Sequence, residues 1–232
     1  MLVVEKEFEK ICNRKKGLGN WDEDDIMIAG LDIGKDVACT VLTIGKIVFD
    51  PNDEGEPPKK EIVTWIELPG MDYDKQHFEI VNALQDYNIV NLFVDYTGVG
   101  KPFVDRLQAA VGEYVNITPY SFSKQSKSDM WFNLRDHIDT GRLIVPSNRV
   151  ARNTVEWLKF QEQLLNCEKW YDGAYLCAQK SDGYLDDYCD SLGLMLMADN
   201  FVETLEVEVQ PFNPFFNNVS DNRNNRNSLE WT

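Results

Sequence analysis

Runs of apolar residues that end in a single carboxylate recur along this chain. Residues 26–31 are apolar or Gly and lead to Asp32, and apolar positions resume over 37–48. This pattern predicts two buried strands, 26–33 and 37–48, joined around Asp32. Because an unpaired buried carboxylate is unfavourable, Asp32 requires a cation, a metal ion or a water-filled cleft, unless it is only a turn residue before Gly34.

The next segments alternate between strand and helix patterns. Residues 61–68 predict a third strand, 74–87 predict an amphipathic helix, and 89–95 predict a buried strand that ends in Asp95. A crossover helix places the new strand parallel to the first, so Asp32 and Asp95 are expected to meet at one edge of the sheet. The apolar positions of the helix are Phe78, Val81, Ala83, Leu84 and Tyr87.

A Gly-rich loop over 98–102 follows Asp95. It is similar to a phosphate-binding loop, but Lys101 precedes Pro102 instead of Ser or Thr, so a tight exit from the strand past a cleft is favoured. The other predicted elements are a helix from this loop to about 111, a strand over 114–122, helices over 126–140 and 149–165, an extended segment at 143–146 and a hairpin at 170–179. The helix over 149–165 is expected to bury Val150, Val155, Leu158, Leu164 and Leu165.

A third group of carboxylates opens the last helical pattern, 181–198. Acids in a first turn complement the helix dipole, which is an ordinary explanation for Asp186 and Asp187. Asp190 lies three residues beyond Asp187, on the same helix face, and adjoins an apolar run. Hard divalent cations prefer oxygen ligands, so three carboxylate groups together favour a two-metal phosphodiesterase.

The composition is that of a globular protein. With 232 residues, 43% of them apolar, the chain is long enough for one well-buried domain. No apolar run approaches ~20 residues and the N-terminus lacks a signal-type pattern, so the chain is expected to be soluble and intracellular. Residues 1–25 are expected to be a lead-in outside the core, 26–209 the folded domain, and the Asn-rich segment 210–232 a disordered tail.

Charge and cysteine usage narrow the function classes. The net charge of -16 argues against a protein that holds nucleic acid by bulk charge, although it permits a nuclease whose carboxylates are neutralised by metal. Five cysteines without a C-x-x-C pair and two histidines argue against a zinc site. The section from Lys101 to Arg152 is locally basic, with eight Lys or Arg against five acids.

Three motifs occur in an order that resembles the C-terminal nuclease domain of the large terminase subunit of tailed bacteriophages. They lie at 29–34, at 93–107 and at 186–192, and the resemblance covers residues 26 to 198. It implies an α/β, ribonuclease H-like fold with a central mixed sheet of five or more strands flanked by helices.

The resemblance also implies an activity: a metal-dependent DNA endonuclease that cuts concatemeric viral DNA during genome packaging by two-metal hydrolysis. Carried over by position, Asp32, Asp95 and Asp187 are expected to be catalytic. Two Mg²⁺ or Mn²⁺ ions would be held by Asp32 and Asp95 with Asp186 or Asp187, and Asp32 would bridge them. Asp190 is left as a further ligand or a supporting group. The family often has His just before the Asp pair, where this chain has Leu185.

Implied partners are double-stranded DNA, the terminase ATPase motor domain, the small terminase subunit and the portal, in the host cytoplasm and without a membrane. The sequence contains no Walker A motif, so the chain is expected to be an excised domain or a separately encoded nuclease. The candidate DNA-facing charges are Lys101, Lys124, Lys127, Arg135, Arg142, Arg149 and Arg152.

Two alternatives stay open. A junction resolvase or transposase-like nuclease of the same fold would share the carboxylates, and a non-catalytic DNA-binding or packaging module would keep the fold without turnover. An actin-like ATPase is disfavoured because that fold needs two domains. Cleavage specificity, the preferred metal and the oligomeric state are not set by the sequence.

Overall fold

The computed structural model describes residues 1–34, 39–49, 56–70, 72–98 and 100–198. Its strands are β1 Cys12–Asn13, β2 Ile26–Asp32, β3 Thr40–Val48, β4 Lys59–Leu68, β5 Ile89–Asp95, β6 Asn116–Tyr120, β7 Leu143–Pro146, β8 Cys167–Asp172 and β9 Tyr175–Lys180. Its helices are α1 Glu5–Ile11, α2 Tyr73–Asp86, α3 Gly100–Val111, α4 Lys124–Asp139, α5 Val155–Leu165 and α6 Asp187–Met197, with a short 3-10 helix at Ala151–Asn153.

Seven strands form one mixed sheet in the order β1-β7-β4-β3-β2-β5-β6, and β8 and β9 form a separate hairpin. Strand β3 is antiparallel to β2 and β4, whereas β5, β6, β7 and β1 join by parallel pairing. The strands β2, β3 and β4 therefore form a meander, and helix α2 returns the chain so that β5 lies parallel to β2. This confirms the predicted α/β class with a central mixed sheet of more than five strands.

The two faces of β2 have different partners. Met27, Ala29 and Leu31 belong to the core formed with α2 and α3. Because side chains alternate along a strand, Gly30 and Asp32 point to the opposite face, where α6 packs. The core on the α2 and α3 side also contains Ile80, Leu84, Phe103 and Leu107.

Helix α6 lies directly on β2 and β3 because two glycines leave room for it. A Cβ at Gly30 would collide with the backbone of α6, including the Leu194 carbonyl carbon at 2.8 Å. A Cβ at Gly45 would lie 2.5 Å from Met195 Sδ. The hydroxyls of Thr43 and Ser191, 2.7 Å apart, add a buried hydrogen bond. This contact directs the acidic first turn of α6 towards Asp32.

The expectation that residues 1–25 lie outside the core is wrong for the first helix. Leu2 and Phe8 are fully buried, and Phe8 packs on Trp157 with ring centroids 5.8 Å apart. Strand β1 adds to the sheet beside β7. The apolar positions are few and lie among charges, so the short amphipathic helix α1 has a weak sequence signal.

The predicted helix over 149–165 is wrong in its start and its buried face. Thr154 caps a helix that begins at Val155, since its hydroxyl accepts a hydrogen bond from Trp157 N at 3.3 Å. The aromatic residues Trp157 and Phe160 face the core, while Leu158 is exposed. Val150 and Val155, also predicted to be buried, are exposed, as is Phe78 of α2, whereas Leu164 is buried as predicted.

The predicted tail, 210–232, lies outside the described residues, as do positions 35–38, 50–55, 71, 99 and 199–209. Within the described parts of the chain, no helix combines the length and the apolar character needed to cross a bilayer.

Candidate metal centre

Asp32 and Asp95 end two neighbouring parallel strands. Leu31 of β2 pairs with Val94 of β5, so the next residue of each strand is a carboxylate at the same edge of the sheet. Both side chains lie on the face that α6 covers, and each is less than a tenth exposed. The structure thus brings together the two carboxylates that the strand pattern singled out.

The loop after β5 orients Asp95. The backbone N of Thr97 donates to Asp95 Oδ1 at 2.8 Å. Gly98 has φ +58, a left-handed conformation that favours Gly, and a Cβ at Gly100 would collide with the carbonyl oxygen of Asp95. The glycines therefore allow α3 to begin directly against the end of the strand, which is the tight exit predicted for this loop.

Helix α6 adds two more buried carboxylates. Asp187 and Asp190 lie one turn apart and are each less than a tenth exposed. Asp187 Oδ2 and Asp190 Oδ1 are buried without a hydrogen-bond partner in the described residues. Asp186 differs, because its side chain is 28% exposed and one oxygen lies 3.6 Å from Lys180 Nζ. Asp186 is therefore at the rim of the cluster.

Burial raises the pKa of all four buried carboxylates, and neighbouring acids add to this for Asp32, Asp187 and Asp190. Burial raises the pKa of Asp32 well above its usual range, and repulsion from Asp190, Asp187 and Asp95 adds to this. Burial raises the pKa of Asp187 to about 6, with a further contribution from Asp186. Burial also raises the pKa of Asp190 to about 6, although Lys127 opposes it, and raises that of Asp95. A cation placed among these groups would relieve the repulsion.

Solved structures with a similar fold are nuclease domains of phage large terminases. The large terminase nuclease from thermophilic phage G20c with bound magnesium aligns with a TM-score of 0.57 and 19% identity, over 77% of this chain and 84% of that chain. The nuclease domain of the large terminase subunit of bacterial virus Sf6 aligns with a TM-score of 0.59 and 11% identity, over 84% and 98%. The fold is that of a large terminase nuclease domain. This confirms the predicted ribonuclease H-like architecture.

The likeness to these domains is one of fold. The large terminase of bacteriophage HK97 aligns with a TM-score of 0.61 and 12% identity. The alignment covers 84% of this chain but 43% of that protein. The sequence matches no protein-family model and no curated protein.

Lys127 of α4 is the cation inside the cluster. Its Nζ donates to Asp190 Oδ2 at 2.7 Å and lies 4.4 Å from the centroid of the Phe122 ring. Burial lowers the pKa of Lys127, but Asp190, Asp186 and Asp32 outweigh it, so this pKa lies above its usual value. Sequence reasoning grouped Lys127 with the DNA-facing charges and missed this contact, since Asp190 lies 63 residues away.

Glu67 of β4 is a second residue that sequence reasoning missed. It lies opposite Val41, which lies opposite Asp32, so it shares the row of Asp32 across the sheet. Lys159 Nζ lies 2.6 Å from one of its oxygens, and the Tyr188 hydroxyl donates to the same oxygen at 3.1 Å. Burial raises the pKa of Glu67, but these contacts outweigh it and the pKa is lowered. Glu67 is therefore ionised, and its negative charge is already balanced by Lys159.

The remaining candidate DNA-facing charges differ in whether they are paired within the protein. Arg135 and Arg142 are mostly buried in ion pairs with acids of α1 and α4, so they are not available to phosphates. Lys124 pairs with Asp172. Lys101 lies 5.7 Å from the Tyr96 ring centroid. The last two candidates, Arg149 and Arg152, line a cavity of about 390 Å³ together with Arg14, Ser147 and Asn153.

The carboxylates have the right chemistry to bind a hard divalent cation, but their present positions do not form a complete set of ligands. Carboxylate oxygens are the preferred ligands of such ions, and two of the buried oxygens lack a partner. Among the described residues, however, no three His, Cys, Asp or Glu side chains are arranged so that they could hold an ion as they stand.

Proposed function

We propose that this protein is a divalent-metal-dependent DNA endonuclease of the terminase type, which cuts concatemeric viral DNA during genome packaging. The observation that carries the proposal is the group of four buried carboxylates, two with unpartnered oxygens, at one edge of the sheet. Lys127 balances one of these charges, and the other buried like charges are unfavourable unless a further cation binds among them. Similar folds hold magnesium in the phage G20c nuclease and manganese in a mutant Sf6 nuclease domain.

The proposed ligands of Mg²⁺ or Mn²⁺ are Asp32, Asp95 and Asp187, with Asp32 central because its pKa responds to the other carboxylates. When bound, such ions supply an activated water and stabilise the leaving oxygen of the phosphodiester. The chain supplies the fixed geometry. Thr97 N holds Asp95, and Gln163 Oε1 accepts from Tyr188 N at 2.9 Å, which fixes the first turn of α6. Asp186 at the rim is the weaker candidate ligand.

The proposed substrate is double-stranded DNA, and the proposed partners are a terminase ATPase motor, the small terminase subunit and the portal. With a net charge of -16, binding to DNA depends on local positive charge and on metal. Lys101 and the cavity that contains Arg149 are the proposed phosphate contacts, because the other candidate charges are mostly paired within the protein.

Nicking and linearisation of supercoiled plasmid test the proposal. Wild type is expected to cut with Mn²⁺ or Mg²⁺ and not in EDTA. Asp32→Asn and Asp95→Asn are expected to lose cleavage by about 100-fold or more, because each removes a ligand charge. Asp74→Asn, at an exposed carboxylate paired with Arg106, is the matched control and is expected to cut like wild type.

Retained cleavage by a purified, folded Asp32→Asn protein would overturn the assignment, as would cleavage by wild type in EDTA. Linear and four-way DNA in the same assay separate a packaging nuclease from a junction resolvase. No cutting with any metal, together with no Mn²⁺ binding, would favour the non-catalytic packaging module.

A further inference from the structure

Lys127 is held in a fixed position beside the carboxylates. The Ser123 hydroxyl caps α4 one turn earlier, and the backbone N of Lys127 bonds to Ser123 O at 2.9 Å. The Nζ lies over the Phe122 ring at 4.4 Å and 5.9 Å from a ring centroid of Trp131. These contacts confine the ammonium group, so its bond to Asp190 is a built feature of the fold.

Helix α4, which carries Lys127, packs tightly on α6. A Cβ at Gly193 would lie 2.8 Å from Met130 Cγ, so α4 and α6 approach closely one turn beyond the Lys127–Asp190 bond. Asn133 of α4 also donates to Leu196 O at 3.0 Å. Because both helices are fixed, Asp190 has little freedom to move away from Lys127.

The two carboxylates of α6 are therefore in different electrostatic positions. Asp190 has one oxygen bonded to an ammonium group, which would repel a divalent ion at its other oxygen. Each carboxylate has one buried oxygen without a hydrogen-bond partner in the described residues, but Asp187 has no ion pair there. Asp187 is the carboxylate that remains available to a cation.

We propose that Lys127 is a built-in cation that neutralises Asp190 and withholds it from metal coordination, so that the divalent ions are held by Asp32, Asp95 and Asp187. This inference rests on the proposed function and names the set of ligands within it. Lys127 is then a positioning residue, since it acts on the metal site through Asp190. It lowers the negative charge of the cluster and so limits how tightly, and how many, ions bind.

Mn²⁺ binding without DNA, measured by calorimetry and by electron paramagnetic resonance, tests the proposal independently of activity. Asp190→Asn is expected to bind Mn²⁺ about 10-fold more weakly than wild type, because it leaves the positive charge of Lys127 unpaired beside the ions. Lys127→Met is expected to bind Mn²⁺ about 10-fold more tightly or to gain an ion, because Asp190 is released. Lys127→Arg, which keeps the charge, is expected to bind Mn²⁺ like wild type. Lys127→Met combined with Asp190→Asn, which removes both charges of the pair, is expected to bind within about 3-fold of wild type, because Asp190 is not a ligand.

Loss of Mn²⁺ binding in the combined Lys127→Met and Asp190→Asn variant would overturn the inference and make Asp190 a ligand, while the proposed function would stand. Unchanged binding by folded Lys127→Met would also overturn it. Circular dichroism and thermal unfolding report whether each variant is folded, and if Lys127→Met does not fold, Lys127→Gln takes its place alone and in the combined variant. Absence of Mn²⁺ binding in wild type and in Lys127→Met would overturn both the inference and the proposed metal site.

Discussion

Gly30 shows how one missing side chain positions the cluster. The residue faces α6, and no atom larger than hydrogen fits between β2 and the backbone near Leu194. Two residues further along the same face lies Asp32. A glycine in the middle of a strand has an entropic cost, so its presence here is explained by the close approach of the helix.

Gly30→Ala is expected to destabilise the protein by about 3 kcal/mol or more, because the collision is with helix backbone that cannot rotate away. It should also reduce cleavage, since α6 carries Asp187. Urea denaturation measures the first effect. Gly17→Ala, whose new methyl meets the side-chain amide of Asn148, is the control and should cost about 1 kcal/mol or less. Equal stability of the two variants would contradict this account of the packing.

Two arginines join helix α1 to the domain, Arg152 through Glu9 and Arg135 of α4 through Glu7. Arg135 bonds both oxygens of Glu7, at 2.8 Å and 3.1 Å, and the carbonyl of Leu2 at 2.9 Å, and it also pairs with Asp139. This bidentate contact to Arg135 lowers the pKa of Glu7 from 4.5 to about 2, although burial opposes it. Together with the buried Phe8, it explains how a short charged helix becomes part of the fold.

Glu7→Gln is expected to lose about 1–2 kcal/mol of stability at pH 7, since partial exposure of the pair weakens it. The folded-state pKa lies below the unfolded one, so the stabilisation is complete above pH 4.5 and is lost as the pH falls towards 2. The difference between wild type and variant should therefore shrink between pH 5 and pH 3, which urea denaturation at each pH can follow. Glu5→Gln, in the same helix turn, is the control. A pH-independent difference would exclude the ion pair as its cause.

The carboxylate cluster works against the stability of the molecule as a whole. The chain is strongly acidic, and four of its carboxylates are buried within reach of one another's charge, with Lys127 as the main opposing cation. An arrangement of this kind is a compromise between folding and cation binding, and its signature is a gain in stability when the charge is removed.

Asp32→Asn is expected to be more stable than wild type in EDTA at pH 8, by about 1 kcal/mol or more. The folded-state pKa of Asp32 is raised, so wild type loses stability as the pH rises from its usual value of 3.8, and the gain in the variant should grow with pH. Thermal unfolding in EDTA and in Mn²⁺ checks this. Mn²⁺ should raise the Tm of wild type and of Asp74→Asn but not of Asp32→Asn. If wild type were at least as stable as Asp32→Asn in EDTA, repulsion among the buried carboxylates would not be destabilising the fold.

Local patterns were sufficient to predict the α/β order and the meeting of Asp32 and Asp95. Strand periodicity is set by neighbouring residues, and the parallel crossover through α2 follows from general rules of chain connection. The tight turn after Asp95 was predictable for the same reason, because Gly98 and Gly100 meet a local backbone requirement. The buried face of α5 could not be predicted in this way, because Leu158 and Phe160 are both apolar. Only packing against β4 and α6 distinguishes them.

By itself, then, the sequence determined the class of fold, the carboxylates at the strand ends and the expectation of an acidic site. Three features depend on how the helices pack: α1 joins the core, Asp186 stays at the rim, and Lys127 contacts the cluster. The physical reason is range: alternation and turn chemistry act over a few residues, whereas the Lys127–Asp190 bond joins groups 63 residues apart on two helices. Their contact depends on how α4 and α6 pack, which no local pattern specifies.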